Sequence, residues 1–432
     1  MNLSQNLRGH WKKNTFLRNN IIVFFGSILT SAFSYFYYPI MARMLSIEEF
    51  GEIQTLVSLL TQASLIFGAI NIVSVVLIAS SKRNKHGERF IFELQKLTLY
   101  IAIGVSLTVA ICSMWVTNFF HFPSVWPLLI TLAAFIAGVP VVFWNSYLQA
   151  RQNFTAMNAF GLVGAAGKLI LAVFLVFLGW GAIGAALAVL LGQFAALTFA
   201  RMRYDVPRLT ELFKERLPNW KVLKVELRYT AMVIVVSLSI TLLYSGDILL
   251  VKHYQSPEEA GAYAGIASIA RIIFFLTLPF ATVLLPAVHS EWKQREKTLK
   301  RSFTLVIGLG AFVAVVFWAF APQIVSLMVG SRYIDYAYLL PELSLAILLM
   351  SIANILFYYM LSIRSIASLF ISVIGVVTFF GLSTFNHSTS EQIVINMIGS
   401  SIVTVTLLVV TLSVWPRVSR VLTSKINLET KE

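Results

Sequence analysis

Three charged side chains lie inside long apolar stretches of the sequence: Lys168, Asp247 and Arg271. A charged residue at the centre of a membrane helix costs about 2.5–3.5 kcal/mol on insertion scales, so each needs a partner or a wet cavity. An arginine can hold a phosphate through two parallel hydrogen bonds, and a lysine supplies a compact positive charge. A buried carboxylate is a candidate for exchanging a proton or binding Na⁺, because burial disfavours its charged form. These residue types therefore indicate anion binding, with Asp247 as a candidate ion-coupling group.

A structural interpretation stands beside each functional one. Arg271 could pair with Asp247 of the preceding antiparallel span, which would keep the carboxylate charged and oppose proton exchange. Lys168 could rest against a backbone carbonyl, and Arg43, at the outer end of the first apolar stretch, could extend to the membrane interface. The sequence leaves these alternatives open. Lys168 also follows a face of small residues on which helices or a ligand could approach closely, formed by Gly161, Gly164 and Gly167.

Composition indicates which elements must position these side chains. Of 432 residues, 58% are apolar and 12% are charged, against roughly 45–50% and about 25% in soluble domains. An ordinary soluble enzyme is therefore excluded, and the chain is predicted to be an all-α integral membrane protein with about twelve transmembrane helices of about 20 residues each. The predicted spans lie near 20–44, 55–80, 97–118, 127–148, 159–178, 182–200, 229–251, 261–288, 302–321, 339–363, 366–385 and 392–415.

The distribution of basic residues predicts the orientation of these spans. With the N-terminus inside and the loops alternating, 28 Lys and Arg fall in cytoplasmic segments and two, Lys252 and Arg332, in outer loops. Cytoplasmic loops carry such an excess, so both termini are predicted to be cytoplasmic. The net charge of +14 is then explained by topology, and nucleic acid is not expected as a partner. The basic N-terminal segment is predicted to lead into a retained first helix rather than a cleaved signal peptide.

One basic segment divides the predicted spans into two sets of six. The predicted domains are an N-terminal six-helix lobe at 1–205, a cytoplasmic linker at 206–228 and a C-terminal six-helix lobe at 229–432. Leucines and a phenylalanine recur at helical spacing in the linker, which favours an amphipathic helix on the inner leaflet. A solvated basic linker fits the same residues.

The two halves share one short motif at an offset of 210 residues. The pattern S-x-E-E-x-G occurs at 46–51 and again at 256–261, each time between the first and second spans of its half. The serine can cap a short helix whose first turn holds the two glutamates, where the helix dipole favours negative charge. The shared position favours an internal duplication, a recurrent plan of transporters.

The stretch 39–51, followed by a span with Gln62 and Gly68, resembles the first hairpin of polysaccharide-type flippases. These belong to the multidrug/oligosaccharidyl-lipid/polysaccharide exporter superfamily, and the second copy, ending at Tyr263, is similar to their seventh-to-eighth span junction. The resemblance implies a V-shaped pair of six-helix lobes in the bacterial cytoplasmic (inner) membrane. It also implies that the chain flips an undecaprenyl-pyrophosphate-linked oligosaccharide by alternating access, for O-antigen, capsule or exopolysaccharide assembly. Twelve predicted spans argue against the lipid II branch, which usually has fourteen.

The resemblance adds Arg43 to the residues already singled out by their charge, and it implies a substrate and partners for this chain. Arg271, Lys168 and Arg43 are the expected ligands of the diphosphate, and Asp247 is the candidate site for a coupling proton or Na⁺. The expected partners are the lipid-linked oligosaccharide and the bilayer, with a polysaccharide polymerase and a chain-length regulator as further candidates.

Two other functions remain alternatives at this point. A cation-coupled exporter of small amphipathic compounds belongs to the same superfamily, although its cavity is expected to hold more acids. A membrane glycan polymerase or ligase would need a sizeable outer loop, and no predicted outer loop exceeds about 17 residues. No cofactor or metal is expected and no enzyme activity is predicted, because the sequence lacks HExxH, CxxC and a complete phosphate-binding loop, and its single cysteine, Cys112, has no partner.

Overall fold

The computed structural model describes residues 26, 29–80, 85–151, 153–204, 227–282, 292–363 and 365–429. The chain divides into two compact units, Met1–Glu226 and Leu227–Glu432, called the first and second lobes below. The described residues form helices and short connections, without a β-strand among them. The linker predicted at 206–228 lies almost entirely outside the described residues, so its amphipathic character stays a prediction.

The first lobe is built from seven described helices. Long helices pack side by side around buried Phe67, Phe135 and Phe143, while a second cluster forms around Trp144 and Phe160. The helices are α1 (29–44), α2 (Ile47–Ser80), α3 (Lys85–Ile111), α4 (Ser113–Phe119), α5 (Trp126–Ala150), α6 (Phe154–Phe177) and α7 (Gly181–Arg203).

The second lobe contains eight described α-helices and one short 3₁₀ helix. Among its single-helix candidate spans, α13 is the most buried, with two thirds of an 18-residue apolar window enclosed by its neighbours. The elements are α8 (Leu227–Tyr254), α9 (Pro257–Ala270), α10 (Ile272–Thr282), α11 (Trp292–Ala319), α12 (Ala321–Met328), the 3₁₀ helix Ser331–Tyr336, α13 (Leu339–Ser362), α14 (Ala367–Phe385) and α15 (Ser390–Glu429).

The described parts of the twelve predicted spans are helical apart from breaks at Cys112, Arg271 and Phe320 and turn residues at some span ends. Nine described helices are long and apolar enough to cross a membrane, and the bent pair α9–α10 makes a tenth. The first predicted span is described as helix only from residue 29 onward. The all-α membrane fold is thus confirmed, whereas the cytoplasmic placement of the termini stays a prediction.

Two differences from the sequence-based expectation concern charged residues. The eighth span is not one straight helix: α9 and α10 meet at Arg271 with a bend of 40°, eight residues before Pro279, which lies inside α10. Lys252, predicted in an outer loop, lies in the last turn of α8 and is only 2% exposed.

The repeated S-x-E-E-x-G motif forms the same corner in both lobes. Ser46 Oγ accepts a hydrogen bond from the Glu49 N–H at 3.1 Å, and Ser256 Oγ accepts one from the Glu259 N–H at 3.2 Å. The predicted serine cap is confirmed in both copies. The predicted short helix is wrong for the first copy, because the cap begins the 34-residue α2.

The second glutamate of each corner reaches the start of the last helix of its own lobe. In the first lobe Glu49 Oε1 lies against Gly181, the first residue of α7, in the space that a Cβ atom at that position would need. In the second lobe Glu259 Oε1 accepts a hydrogen bond of 2.9 Å from Ser390 Oγ, at the first residue of α15. The two contacts are 209 residues apart, so the motif and its contact repeat together.

Candidate functional site

The second lobe holds a buried ion pair within its membrane helices. Asp247, on α8, is completely buried, and Arg271, in the break between α9 and α10, is 8% exposed. Arg271 Nη2 lies 2.6 Å from Asp247 Oδ1. The pairing that the sequence left open is therefore present. The arginine that makes it lies at the break in the eighth span, and its side chain extends to α8.

Two tyrosines complete this cluster. Tyr263, on α9 and fully buried, donates its hydroxyl hydrogen to Asp247 Oδ2 at 2.9 Å. The guanidinium of Arg271 lies over the Tyr244 ring, with its Cζ atom 5.2 Å from the ring centroid. Each carboxylate oxygen of Asp247 thus has a donor, and the arginine has both an anion and an aromatic face. Removing one partner of such a pair strongly destabilises the folded protein, because the other charge stays buried.

The first lobe holds its intramembrane cation differently. Lys168 Nζ, on α6, lies 4.5 Å from the centroid of the Tyr37 ring on α1. Tyr37 is 1% exposed and its hydroxyl donates to the carbonyl oxygen of Ala185 on α7 at 3.2 Å. Lys168 is partly exposed, and none of the carboxylates in the described part of the chain pairs with it. Its positive charge rests on an aromatic face rather than on an anion.

Close packing of α6 against α7 fixes the position of Lys168. A side chain on Gly192 of α7 would begin 2.9 Å from the Gly164 carbonyl oxygen, and at the same distance from the backbone nitrogen and Cβ of Lys168. On α6, Gly164 and Gly167 face alanines of α7, and Gly161 faces Thr30 of α1. The small-residue face noted in the sequence is thus used for helix packing, and Lys168 projects from that packed surface.

The remaining charged candidate is Arg43, which belongs to neither of these clusters. It occupies the last turn of α1 and is exposed. This placement agrees with a side chain near the membrane interface. Its proposed role as a diphosphate ligand stays a prediction.

The first lobe also contains buried polar atoms without a hydrogen-bond partner among the described residues. They lie on four helices: Thr30 and Tyr35 on α1, Gln62 on α2, Gln95 on α3 and Gln193 on α7. An unpaired buried polar group is unfavourable, so such atoms mark places where a polar ligand or water could bind. These atoms include Thr30 Oγ1, Tyr35 Oη, Gln62 Nε2, Gln95 Nε2 and Gln193 Oε1.

Acidic residues gather outside the spans of the second lobe. Partial burial raises the pKa of the Tyr336 hydroxyl, and the carboxylates of Glu258, Glu259 and Asp335 raise it further. No three His, Cys, Asp or Glu side chains in the described part of the chain come together in a way that could hold a metal ion. This surface therefore offers negative potential but no coordination site.

Three tyrosines that carry the geometry were absent from the sequence-based candidates: Tyr37, Tyr244 and Tyr263. A signal for Tyr263 existed, since Asp247 and Tyr263 lie nine residues before and seven after Ser256. Residues at similar distances from the turn of an antiparallel helical hairpin lie at the same depth. Nothing comparable marks Tyr37, which meets Lys168 from a distant part of the chain.

Comparison with known families gives one match over most of the chain. The family described as "Polysaccharide biosynthesis protein" matches residues 16–291. A search of curated proteins found no match.

Solved structures with a similar fold are membrane transporters and a flippase. An inward-facing multidrug resistance MATE family transporter of the MOP superfamily has a TM-score of 0.71 at 16% identity, over 92% of this chain and 95% of that chain. The lipid II flippase MurJ, in an inward closed conformation, has a TM-score of 0.69 at 15% identity, over 92% and 87%. The eukaryotic MATE transporter AtDTX14 has a TM-score of 0.62 at 14% identity, over 92% and 96%. At these identities the likeness shows the shared fold alone.

Proposed function

Since the chain belongs to the polysaccharide biosynthesis protein family, we propose that it flips lipid-linked oligosaccharide repeat units across the bacterial cytoplasmic membrane. The substrate class is an undecaprenyl-pyrophosphate-linked oligosaccharide, and the product enters surface polysaccharide assembly. The observation that carries this proposal is the presence of a cation inside the membrane helices of each lobe, Lys168 in the first and Arg271 in the second.

The chemistry of the head group explains why such cations are needed. A diphosphate that enters a low-dielectric environment loses strong hydration, which fixed donors and positive charge must replace. Arg271 offers a planar fork suited to phosphate oxygens, and Lys168 a compact charge. Arg43 is proposed as a further ligand near the end of α1.

The sugar part of the substrate needs a different kind of contact. Hydroxyl groups bind to neutral donors and acceptors, and the buried polar atoms of Tyr35, Gln62 and Gln193 are such groups. We place the oligosaccharide against the first lobe for this reason. A polysaccharide polymerase and a chain-length regulator are the proposed partners after translocation.

Coupling is proposed at Asp247. When the diphosphate takes the place of Asp247 on Arg271, the buried carboxylate retains Tyr263 and gains a proton or Na⁺ to balance its charge. Translocation by alternating access would then exchange a cation for a lipid-linked anion. Its direct test is whether flipping by the purified chain follows an imposed pH or Na⁺ gradient.

The proposal is tested in a strain that lacks this gene and carries variants of it. The double variant K168Q/R271Q is expected to abolish surface polysaccharide while still reaching the membrane fraction. The matched control R203Q removes an exposed charge at the end of α7 and is expected to export normally. Normal polysaccharide from K168Q/R271Q would contradict the proposal.

A cation-coupled exporter of small amphipathic compounds is the second candidate. The likeness to MATE transporters and the buried Asp247 favour it, whereas the cations in both lobes do not. Drug susceptibility separates the two functions, because the exporter predicts a sensitised deletion strain with normal surface polysaccharide.

A further inference from the structure

The duplicated corners supply a residue-by-residue register between the lobes. The motif copies begin at Ser46 and Ser256, both serines cap the following helix, and both second glutamates reach the start of the last helix of their lobe. The capping bonds and the distant contacts agree on an offset of 209–210 residues. Positions counted back from the two serines along the preceding helices are therefore equivalent.

Nine residues before the serine, both lobes place a residue that contacts the intramembrane cation. The residue is Tyr37 in the first lobe, against Lys168, and Asp247 in the second, against Arg271. Along a helix, nine residues correspond to about 13 Å at 1.5 Å per residue, so both contacts lie at the same depth from their corners. The same position thus holds the cation of each lobe, with different chemistry.

The two holding groups leave the cations in different states. An aromatic face attracts an ammonium through its quadrupole but carries no net charge, so the Tyr37 ring does not neutralise Lys168. A carboxylate neutralises the guanidinium through a charge-assisted hydrogen bond, so an incoming anion at Arg271 must displace Asp247.

We propose that this position makes the lobes unequal anion sites. Lys168 in the first lobe, which pairs with no carboxylate in the described part of the chain, takes the diphosphate directly, whereas Asp247 competes with it for Arg271 in the second. The inference rests on the proposed function and deepens it. Asp247 thereby keeps the affinity of the second lobe low enough for release, and it keeps Arg271 paired when no substrate is bound.

The test is equilibrium binding of inorganic pyrophosphate to the purified full-length protein, measured by titration calorimetry. D247N removes the rival charge at nearly constant shape and is expected to tighten binding on the order of tenfold. The gain should disappear in D247N/R271Q, because it depends on Arg271. D335N removes an exposed carboxylate of the same lobe and should leave the affinity unchanged.

A complementary variant transfers the competitor to the first lobe. Y37D places a carboxylate where the Tyr37 ring meets Lys168, and we expect it to weaken pyrophosphate binding on the order of tenfold or more, as K168Q should. Y37D removes a large buried ring, so a folded state must be shown by monodisperse gel filtration before binding is measured. D247N leaves Arg271 buried without its anion, so it is held to the same gel-filtration criterion, and binding by folded D247N decides the outcome.

The outcomes separate this inference from the proposed function. If the wild type binds pyrophosphate and K168Q does not, but folded D247N binds no more tightly than the wild type, the inference is overturned and the proposed function stands. If K168Q/R271Q both binds pyrophosphate and exports polysaccharide as the wild type does, the proposed function itself fails. Tighter binding by D247N that depends on Arg271 supports both.

Discussion

The hydroxyl of Tyr263 lies 2.9 Å from Oδ2 of Asp247, while Arg271 lies 2.6 Å from Oδ1 of the same carboxylate. A side chain on α8 is thus held by one group from α9 and one from the break that ends α9. This arrangement links the seventh and eighth spans at the depth of Asp247, and it orients the carboxylate toward Arg271.

The first prediction concerns the hydroxyl of Tyr263. Y263F keeps the buried ring and removes the donor to Asp247, so the free energy of unfolding should fall by about 1–3 kcal/mol. Thermal unfolding of the purified protein in detergent measures the change. Y336F is the matched control, because Tyr336 lies in the 3₁₀ helix and is less buried; equal melting temperatures for Y263F and wild type would show that this bond contributes little.

The second prediction concerns the ion pair itself. R271Q leaves Asp247 buried without its cation and is expected to cost about 3–5 kcal/mol. D247N/R271Q removes both charges and should recover most of that loss. Unfolding of the two variants under identical conditions gives the comparison, and a double variant as unstable as R271Q would argue against a stabilising role of the pairing.

The third prediction concerns the corner of the first lobe. Gly179 and Gly181 both have positive φ, +86° and +47°, but only Gly181 lies against Glu49. G179A and G181A should both pay a backbone cost of about 1–2 kcal/mol. G181A should lose about 1 kcal/mol more, because Glu49 must move and give up its bond to the Ser46 N–H.

The size of this extra loss can be checked with Glu49 itself. In an E49A background the difference between G181A and G179A should vanish, since no carboxylate then occupies the space beside residue 181. A difference that persists in that background would place its origin in the backbone alone.

The fourth prediction concerns the packing that positions Lys168. G192A introduces a methyl group against the backbone of α6, so we expect about 1–3 kcal/mol of destabilisation and reduced export. G104A is the matched control, because a side chain there would meet nothing within 4 Å. Surface polysaccharide and thermal unfolding should both distinguish the two variants. Identical behaviour would mean that the close contact between α6 and α7 at Gly192 is needed neither for stability nor for export.

The positions of the membrane helices were predictable from the sequence for a physical reason. A membrane helix is recognised by its own apolar length, so the nine or ten spans found among the described helices could be placed without knowing their neighbours. The capping serines Ser46 and Ser256 were predictable too, because a cap depends on residues only three positions away. The break at Arg271 was not, since such a bend depends on how the helix packs against its neighbours rather than on adjacent residues alone.

The candidate site was predictable in its charges and not in their surroundings. Lys168, Asp247 and Arg271 stand out because charge within a span is rare. Tyrosines are ordinary residues of membrane helices, so Tyr37 and Tyr244 carry no mark in the sequence, and their role depends on which face of the helix meets the cation. Whether Asp247 pairs with Arg271 likewise depended on the rotation of two helices.

Transport of a fluorescent undecaprenyl-pyrophosphate oligosaccharide in proteoliposomes tests the central claim most directly. Vesicles that contain only this protein should move the labelled lipid between leaflets, as measured by its accessibility to a membrane-impermeant quencher. K168Q/R271Q should reduce the rate to that of protein-free vesicles, while R203Q should keep the wild-type rate. Movement at the protein-free rate by the folded wild-type protein, or an undiminished rate in K168Q/R271Q, would contradict the account.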